Sequence, residues 1–373
     1  MSRIGVGIIV ASPVNPGWAV IAHIPALAAL PDYELRAVST SRRASAEAAA
    51  KAFGVAGFDN HRDLIAHPGV DLVVVTVKVP HHHAIVSAAL DAGKMVFCEW
   101  PLGNGLAEGL DLAARAESAG VRTAIGLQAR FSPAIRHARD LLANGYVGDV
   151  LATTLVGSGL GWGPETDQGH AYMYDVTKGA TTLSVPALHA LDALVFLLGD
   201  FTGASATLAA RRAQARLVED GAMIPVTSPD QVAIQGKLES GAVASVFYRG
   251  GVSRGDNLRW EINGSEGDLV LTSSMGNVQV ADLKLEGGRG EERIVHEIAI
   301  PPGYSELVTG VPAGPPSNIG QVYAQLAKDI REGTRVTLDF AHAAARHRLL
   351  EAIETASRSV LAQSLLGALP LRR

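Results

Sequence analysis

The sequence has little cysteine and no strong excess of charge. Its 373 residues include one cysteine, Cys98, so an intrachain disulfide is excluded and a reducing interior is the expected compartment. The formal net charge is −5 at pH 7, and no run of like charges occurs. A broad basic surface for nucleic acid is therefore not expected.

The sequence also lacks a long apolar run. The most apolar segment after the first strand, residues 183–198, carries His189 and Asp192 and is too short to cross a bilayer comfortably. The first four residues lead at once into a strand-like run, which leaves no room for a signal peptide. We expect a soluble, cytoplasmic protein without membrane or nucleic-acid partners.

Strand-like and helical segments alternate through the first part of the chain. Apolar, β-rich runs are separated by alanine-rich and leucine-rich runs, which is typical of a parallel sheet with right-handed crossovers. The predicted strands are residues 4–10, 35–39, 70–77, 94–98 and 122–127, and the predicted helices are residues 18–30, 44–53, 84–92 and 106–119. The fold class expected here is α/β, with an N-terminal Rossmann-type, doubly wound parallel sheet.

The pattern changes after Pro133. Long alternating runs follow there with a single helix between them, which indicates an open, mostly antiparallel sheet in an α+β domain. The predicted strands are residues 150–156, 202–217, 231–238, 242–248, 258–262 and 277–285, with a turn at 264–267 and helices at 134–144, 185–198, 318–332 and 340–358. Since 373 residues are long for one core, we predict a dinucleotide-binding domain at residues 1–127 and a substrate and oligomerisation domain at residues 128–373.

The loop after the first strand lacks an intact G-x-G-x-x-G fingerprint. Gly5 and Gly7 lie inside the strand, and Val10 stands where the first loop glycine belongs. Backbone N–H groups at a helix N-terminus still favour phosphate, although an ordinary strand-to-helix turn explains the loop equally well. The residues left to contact a dinucleotide are Ser12, Pro13, Asn15, Gly17 and Trp18.

The second strand ends without an acidic residue that could hold a ribose 2′-hydroxyl. Ser41, Arg42 and Arg43 follow it instead, and guanidinium groups pair with phosphate in a bidentate manner. This pattern predicts a preference for NADP(H), with NAD(H) possible as the cofactor. A solvated helix start with a serine cap is the structural alternative.

Three consecutive histidines, His81 to His83, follow the strand predicted at residues 70–77. Adjacent residues point in different directions and no acidic or cysteine partner is near, so a metal site is the weaker interpretation. Lys78, just before them, either projects toward a bound nicotinamide or is a surface lysine at a strand end.

The segment at residues 96–102, Val-Phe-Cys-Glu-Trp-Pro-Leu, is the most informative part of the sequence. A glutamate and a proline at the carboxyl end of a buried strand pack poorly, but they suit the edge where a parallel sheet opens onto a ligand. The segment resembles the Glu-Lys-Pro motif of the Gfo/Idh/MocA family, and further motifs lie at residues 17–19, 23–25 and 126–133. The resemblance is strongest to the branch that contains the fungal galactose-regulon repressor. Trp100 stands where that family has its catalytic lysine.

The resemblance implies which residues line a nicotinamide dinucleotide. The implied cofactor-binding residues are Ser12, Trp18, Thr76, Lys78, His82, Glu99, Trp100, Pro101 and Gln128, beside Ser41 and Arg42 at the end of the second strand. The residues implied to face the substrate are Tyr172, Tyr174, Asp175, Lys178 and His189. The implied substrate is a sugar, a polyol or a related carbonyl compound.

The acid–base role of the family is vacant at Trp100, because an indole does not titrate near neutral pH. General acid–base help is worth about 10²–10⁴ in rate, so a dehydrogenase would need another group. The candidates are His189, Lys178, Lys78 and Tyr174. In the segment that resembles the family's substrate motif, Val185 replaces the acidic residue four positions before His189. A structural histidine bonded to Asp192 is therefore the alternative.

Three classes of function stay open. The leading one is an NAD(P)-dependent oxidoreductase that acts on a sugar-like compound. A dinucleotide-binding sensor or regulator without turnover would act through a protein partner, and a redox-neutral enzyme would retain and recycle its cofactor. In each case an open sheet face predicts a homo-oligomer.

Overall fold

A six-stranded parallel sheet forms the first half of the protein. The computed structural model describes residues 3–14 and 16–359, so Asn15 of the predicted first loop lies outside the described residues. The strands are β1 (Ile4–Ile9), β2 (Tyr33–Ser39), β3 (Ala56–Phe58), β4 (Leu72–Val75), β5 (Met95–Glu99) and β6 (Thr123–Gly126), and the helices are α1 (Ile24–Ala29), α2 (Arg43–Phe53), α3 (His61–Ala66), α4 (His82–Asp91) and α5 (Leu106–Ala119). Every strand pair is parallel, in the order β3-β2-β1-β4-β5-β6. The predicted Rossmann-type sheet is confirmed.

Two short elements, β3 and α3, go beyond the sequence prediction. β3 has three residues with Gly57 at its centre, which is too short for a recognisable alternation. α3 begins after Asn60, whose side chain accepts a hydrogen bond of 3.0 Å from the Asp63 N–H. Asparagine is among the residues favoured at this capping position, so Asn60 is the signal that the sequence offered.

The second half is built on an eight-stranded sheet. Its strands and those of a small side sheet are β7 (Val150–Gly159), β8 (Glu165–Thr166), β9 (Phe201–Ala209), β10 (Gln214–Leu217), β11 (Met223–Pro225), β12 (Gln231–Leu238), β13 (Val243–Gly250), β14 (Leu258–Gly264), β15 (Gly267–Ser273), β16 (Lys284–Arg289) and β17 (His296–Glu297). The large sheet has the order β17-β16-β15-β14-β7-β13-β12-β9, in which only β7 and β13 are parallel. The side sheet is β11-β10-β8. The predicted mostly antiparallel α+β domain is confirmed.

Two predicted strands in this half are wrong in part. The run at residues 202–217 is two strands, because the Asp230 carboxylate accepts hydrogen bonds from the N–H groups of Arg211 and Arg212 and turns the chain between them. The run at residues 277–285 starts as a turn, in which the N–H groups of Val280 and Ala281 donate to the Asn277 carbonyl. The strand there begins later, at β16.

The remaining helices connect the two sheets. They are α6 (Pro133–Ala143), α7 (Leu188–Leu198), α8 (Pro315–Glu332) and α9 (Phe340–Ser359), and a π-helical turn, Leu183–Ala187, leads into α7. Val322 and Leu326 of α8 share one buried cluster with Val38 and Val74 of the parallel sheet. Among the described residues, no helix is both long and apolar enough to cross a membrane. The domain boundary at residues 127 and 128 stays a prediction.

Candidate functional site

The carboxyl ends of β1 and β4 are where the strand order reverses, and this edge is the usual place for a dinucleotide in such sheets. Val10 follows β1 with a φ of 67°, and 43% of its surface is exposed. Its N–H and that of Ala11 both donate to the Ser39 carbonyl, which ties the end of β1 to the end of β2. A β-branched residue in this left-handed region is strained by about 1–3 kcal/mol, so Val10 holds a glycine conformation without a glycine.

Glu99 at the end of β5 is held in a buried chain of hydrogen bonds. Its Oε1 lies 2.9 Å from Nε2 of His23, and Nδ1 of His23 lies 2.7 Å from the Tyr323 hydroxyl. A carboxylate can only accept, so Nε2–H donates to Glu99, and Nδ1 of a neutral ring accepts from Tyr323. Burial raises the pKa of Tyr323 well above its ordinary value, which keeps this hydroxyl a donor. The chain fixes the direction of the Glu99 carboxylate.

Gly126 leaves room for the same carboxylate, which would have to shift if this residue had a side chain. A Cβ on Gly126 would lie 2.7 Å from Oε1 of Glu99, closer than real Cβ contacts allow. The sequence analysis missed the roles of His23 and Tyr323. His23 lies in a motif that carries the family resemblance, but Tyr323 is 300 residues away and no sequence signal joins the two.

Trp100 is part of the core. Only 4% of its surface is exposed, and its Nε1–H donates to the Ser184 carbonyl over 2.6 Å. Its ring centroid lies 4.6 Å from that of His347 on α9. The indole therefore joins β5 to the start of α7 and to α9, a packing role that the motif alone did not reveal. Little of the ring is left to stack on a nicotinamide, and that predicted contact stays untested.

His82 is buried behind the same segment. Its Nδ1 lies 2.8 Å from the Pro101 carbonyl and 3.4 Å from Sγ of Cys98, and its Nε2 lies 2.9 Å from the Val77 carbonyl. Burial lowers the pKa of His82, which favours the neutral ring. A neutral ring has one N–H, so His82 can donate to only one of the Pro101 and Val77 carbonyls, and the Cys98 thiol can donate to the Glu99 carbonyl, 3.3 Å away.

The three consecutive histidines diverge, as expected from their spacing. His83 Nε2 lies 2.7 Å from an Asp111 oxygen on α5, while His81 is exposed. His82 points inward, to the backbone carbonyls of Pro101 and Val77, which follow β5 and β4. The trio does not converge on one point.

Asp192 does not hold His189, contrary to the structural alternative raised from the sequence. Its carboxylate accepts from Nη2 and Nε of Arg130 over 2.6 and 2.8 Å, and Nε2 of His342 lies 2.7 Å away. Burial raises the pKa of Asp192, but the hydrogen bond from His342 and the charge of Arg130 outweigh it, and the result is about 2. The sequence could not identify these partners, which come from distant elements.

His189 itself is buried in α7. Its Nδ1 is sealed and has no hydrogen-bond partner, and burial lowers its pKa to about 4, opposed by the charge of Asp192. The ring is therefore neutral at pH 7. A neutral imidazole with this pKa is a weak base and no proton donor, so His189 is poorly suited to general acid–base catalysis.

An exposed rim lies where β4 meets the second domain. Nζ of Lys78 is 4.8 Å from the centre of the Tyr172 ring, and both Lys78 and Lys178 are exposed. Hydrogen bonds from Thr177 lower the pKa of Asp175. The charged groups of Lys78, Lys178 and Asp175 are therefore in contact with water.

Tyr174 belongs to the interior. Its hydroxyl lies 3.0 Å from the carbonyl oxygens of Gly161 and Gly163, and burial raises its pKa. Because this hydroxyl already donates to backbone carbonyls within the fold, it is not free to donate a proton to a substrate. Among the four acid–base candidates, the exposed Lys78 and Lys178 are therefore the ones whose charged groups stay accessible to solvent.

The remaining predicted cofactor residues lie along the same edge. The Thr76 hydroxyl donates to the Ile9 carbonyl over 2.7 Å, and Ser12 is half-buried in the loop between β1 and α1. Gln128 is buried with Oε1 unpartnered, and Nε1 of Trp18 is likewise sealed without a partner. Oε1 of Gln128 and Nε1 of Trp18 therefore have unused hydrogen-bonding capacity.

The segment after β2, residues 40–43, contains two arginines and no acidic residue. Ser41 and Arg42 are exposed, while Arg43 pairs with Glu47 on α2 over 2.8 Å. This donor set fits the phosphate of a dinucleotide. Val10, in the neighbouring turn, is itself exposed to solvent.

Comparison with known proteins agrees with this architecture. The family model for an oxidoreductase family with an NAD-binding Rossmann fold matches residues 16–127, and the model for the Gal80p C-terminal domain matches residues 133–273. The dehydrogenase aclE of Aspergillus oryzae is 34% identical over 249 residues, which cover 64% of this chain and 68% of that protein.

Two further similar proteins are named for different functions, one as a regulatory protein and one as a dehydrogenase. The galactose/lactose metabolism regulatory protein GAL80 of Saccharomyces cerevisiae is 27% identical over 72% of this chain and 67% of its own. A crystal structure of a super-repressor mutant of that Gal80p superimposes with a TM-score of 0.84 over 96% of both chains, at 23% identity. Levoglucosan dehydrogenase in complex with NADH and levoglucosan superimposes with a TM-score of 0.81 over 96% of this chain and 97% of its own, at 21% identity.

Proposed function

The chain belongs to the Gfo/Idh/MocA oxidoreductase family, and on that premise we propose that it is an NAD(P)-dependent oxidoreductase acting on a sugar, a polyol or a related carbonyl compound. The observation that carries the proposal is the exposed ammonium of Lys78, 4.8 Å from the Tyr172 ring, whereas Trp100, at the position of the family lysine, is buried. Lys78 thus provides a titratable group at the rim, whereas Trp100 provides none at the position of the family lysine.

The cofactor in this proposal is NADP(H) in preference to NAD(H). Ser41 and Arg42 would hold a 2′-phosphate, and a bound nicotinamide supplies or accepts the hydride. Calorimetric titration should show tighter binding of NADPH than of NADH, and Arg42→Ala should weaken NADPH binding by roughly tenfold or more, the range of a charge-assisted hydrogen bond. Arg62→Ala, an exposed arginine on α3, is the matched control. Equal affinities for the two cofactors contradict the preference.

Lys78 serves as the acid–base group in the proposed reaction. When a carbonyl is reduced, its oxygen gains the C=O electron pair and takes a proton from the Lys78 ammonium, which exposure to water allows solvent to restore. Lys178 is the second candidate. Neutral His189 would orient the substrate through Nε2 rather than donate a proton.

The test is turnover measured by nicotinamide absorbance with sugar-derived carbonyls and polyols. Lys78→Met should lower kcat by about 10²–10⁴, the usual worth of general acid–base help, and leave NADPH affinity nearly unchanged. Lys51→Met, an exposed lysine on α2, controls for loss of a surface charge. Unchanged turnover in Lys78→Met would transfer the role to Lys178 or His189.

A second candidate function is a dinucleotide-binding regulator without turnover. The sealed Trp100 and the occupied hydroxyl of Tyr174 favour it, as does the similarity to a protein named as a regulator of galactose metabolism. Such a protein would bind NADPH without consuming it and would act through a protein partner. A redox-neutral enzyme would instead retain its cofactor through purification.

The proposal also includes a cytoplasmic location and a homo-oligomer. The outward face of the eight-stranded sheet carries Val243 and Phe247 of β13 beside Val156 of β7, and Val243 is well exposed. A second copy of the chain would cover these apolar side chains. Light scattering of the wild-type protein and of Val243→Asp measures this directly, since a monomeric wild-type protein contradicts it.

A further inference from the structure

A recess lined by arginines lies beside α6, and none of its lining residues is among those assigned to the dinucleotide. It has a volume of about 240 Å³ and is lined by Arg130, Arg136 and Arg139 together with Phe196, Val336 and Leu338. Arg136 and Arg139 are three residues apart on α6, so their side chains emerge on the same face of the helix. The carboxylate of Asp140 also lines the recess, so cationic, acidic and apolar side chains meet in one cavity.

The three arginines of the recess differ in how many hydrogen bonds they form with the rest of the protein. Arg130 is committed to Asp192, with two hydrogen bonds to its carboxylate. Arg136 donates a long hydrogen bond of 3.4 Å to the Tyr304 carbonyl. Arg139 is exposed and lies 4.5 Å from the centre of the Phe196 ring, and within residues 3–14 and 16–359 no carboxylate forms a salt bridge with it.

The acidic group of the recess does not neutralise these arginines directly. Asp140 accepts a hydrogen bond of 2.5 Å from the Tyr304 hydroxyl and forms no salt bridge in the described part of the chain. Arg136 and Arg139 thus offer guanidinium donors toward the cavity. Planar guanidinium groups match the two oxygens of a carboxylate or phosphate.

The apolar wall selects among anions. Phe196 is half-buried under the guanidinium groups of Arg130 and Arg139, and Leu338 is half-buried on the opposite segment. Val336 at the rim keeps 59% of its surface exposed. A bare inorganic anion would leave this apolar surface wet, whereas a carboxylate on an apolar body would cover it.

We propose that this recess binds a small aromatic or branched aliphatic carboxylate. The carboxylate pairs with Arg136 and Arg139, and the apolar body rests on Phe196, Leu338 and Val336. The site is separate from the proposed oxidoreductase chemistry, because none of these residues belongs to the cofactor or substrate set. Arg130 connects the two, since it holds Asp192 on the helix that carries His189.

The test uses benzoate as the probe in calorimetric titration of the full chain. Benzoate should bind with one-to-one stoichiometry, and benzyl alcohol, which has the same ring without the charge, should bind at least about tenfold more weakly, the worth of a charge-assisted hydrogen bond. Arg139→Gln should weaken benzoate binding by a similar factor. Arg348→Gln, an exposed arginine on α9, is the matched control and should leave binding unchanged.

Three outcomes would overturn the proposal. They are no benzoate binding to the wild-type protein at millimolar concentration, equal binding to wild type and Arg139→Gln, and inorganic phosphate that binds as tightly as benzoate. Arg139→Lys keeps the charge but loses the planar fork, so it should fall between wild type and Arg139→Gln. The melting temperatures of all variants show whether a loss of binding reflects a loss of folding.

Discussion

The end of β5 and the rim around Lys78 use their polar groups in opposite ways. At β5, Glu99 is bound to His23, and the Trp100 N–H is bound to the Ser184 carbonyl in a segment that is closed to water. At the rim, Lys78 is exposed and lies over an aromatic ring. Trp100 is thus part of the packing, whereas the charge of Lys78 is exposed to solvent.

The cost of burying a charge explains why a lysine suits the exposed rim and not the position of Trp100. An ammonium in the place of the Trp100 ring would lose its hydration beside His347, and the Glu99 carboxylate already serves His23. An exposed lysine keeps its charge at little cost and can be reprotonated by solvent. Proton transfer at the rim is therefore compatible with a sealed core.

Trp100→Lys is expected to have the largest effect. It removes a buried aromatic ring, at about 3–5 kcal/mol, and adds a charge that must be desolvated or neutralised. Urea denaturation should show a loss of at least this size, and turnover on ordinary sugars should not rise. Trp100→Phe, which keeps the ring but loses the hydrogen bond to Ser184, should lose only about 1–3 kcal/mol. A stable Trp100→Lys variant with improved turnover would show that the segment is not sealed.

A fall in pH from 7 to 5 should lower the free energy of unfolding, because two histidines are buried in their neutral form. Burial lowers the pKa of both His189 and His347 to about 4 from an ordinary 6.5. Between these values the unfolded chain binds protons that the folded chain does not, so the free energy of unfolding falls as the pH falls through this window. The loss at pH 5 should be roughly 2 kcal/mol for each histidine relative to pH 7.

The measurement is urea denaturation at pH 7 and pH 5. His347→Gln should reduce the difference between the two, and His296→Gln, an exposed histidine, should not. Asp192, with a pKa of about 2, adds a loss only at more acidic pH, because its stabilisation is present above its ordinary value of 3.8. Stability that does not change between pH 7 and pH 5 would contradict the burial of the two neutral rings.

Val10→Gly should have the smallest effect and the opposite sign. Glycine adopts a φ of 67° without strain, which recovers about 1–3 kcal/mol, less roughly 0.5–1 kcal/mol for the greater freedom of the unfolded chain. The melting temperature should rise slightly. Val10→Ala keeps a Cβ in the left-handed region and serves as the control, so an equal gain in both variants would locate the strain elsewhere.

The sequence predicted the fold well for a physical reason. Parallel strands such as β4 are buried on both faces and appear as continuous apolar runs, which a single sequence reveals. The site was only partly predictable, because its hydrogen bonds join distant parts of the chain. Trp100 could be read from a motif, but its acceptor on Ser184 lies 84 residues away, and the partner of Asp192, Arg130, lies 62 residues away.

The most direct test of the central claim follows the nicotinamide absorbance of NADPH mixed with the wild-type protein and a panel of sugar-derived carbonyl compounds. NADPH should be consumed with at least one of them, and that activity should be lost in Lys78→Met while calorimetry shows NADPH binding unchanged. NADPH that binds but is never consumed, with NADP⁺ equally inert toward the corresponding polyols, would contradict the account and identify a dinucleotide-binding regulator instead.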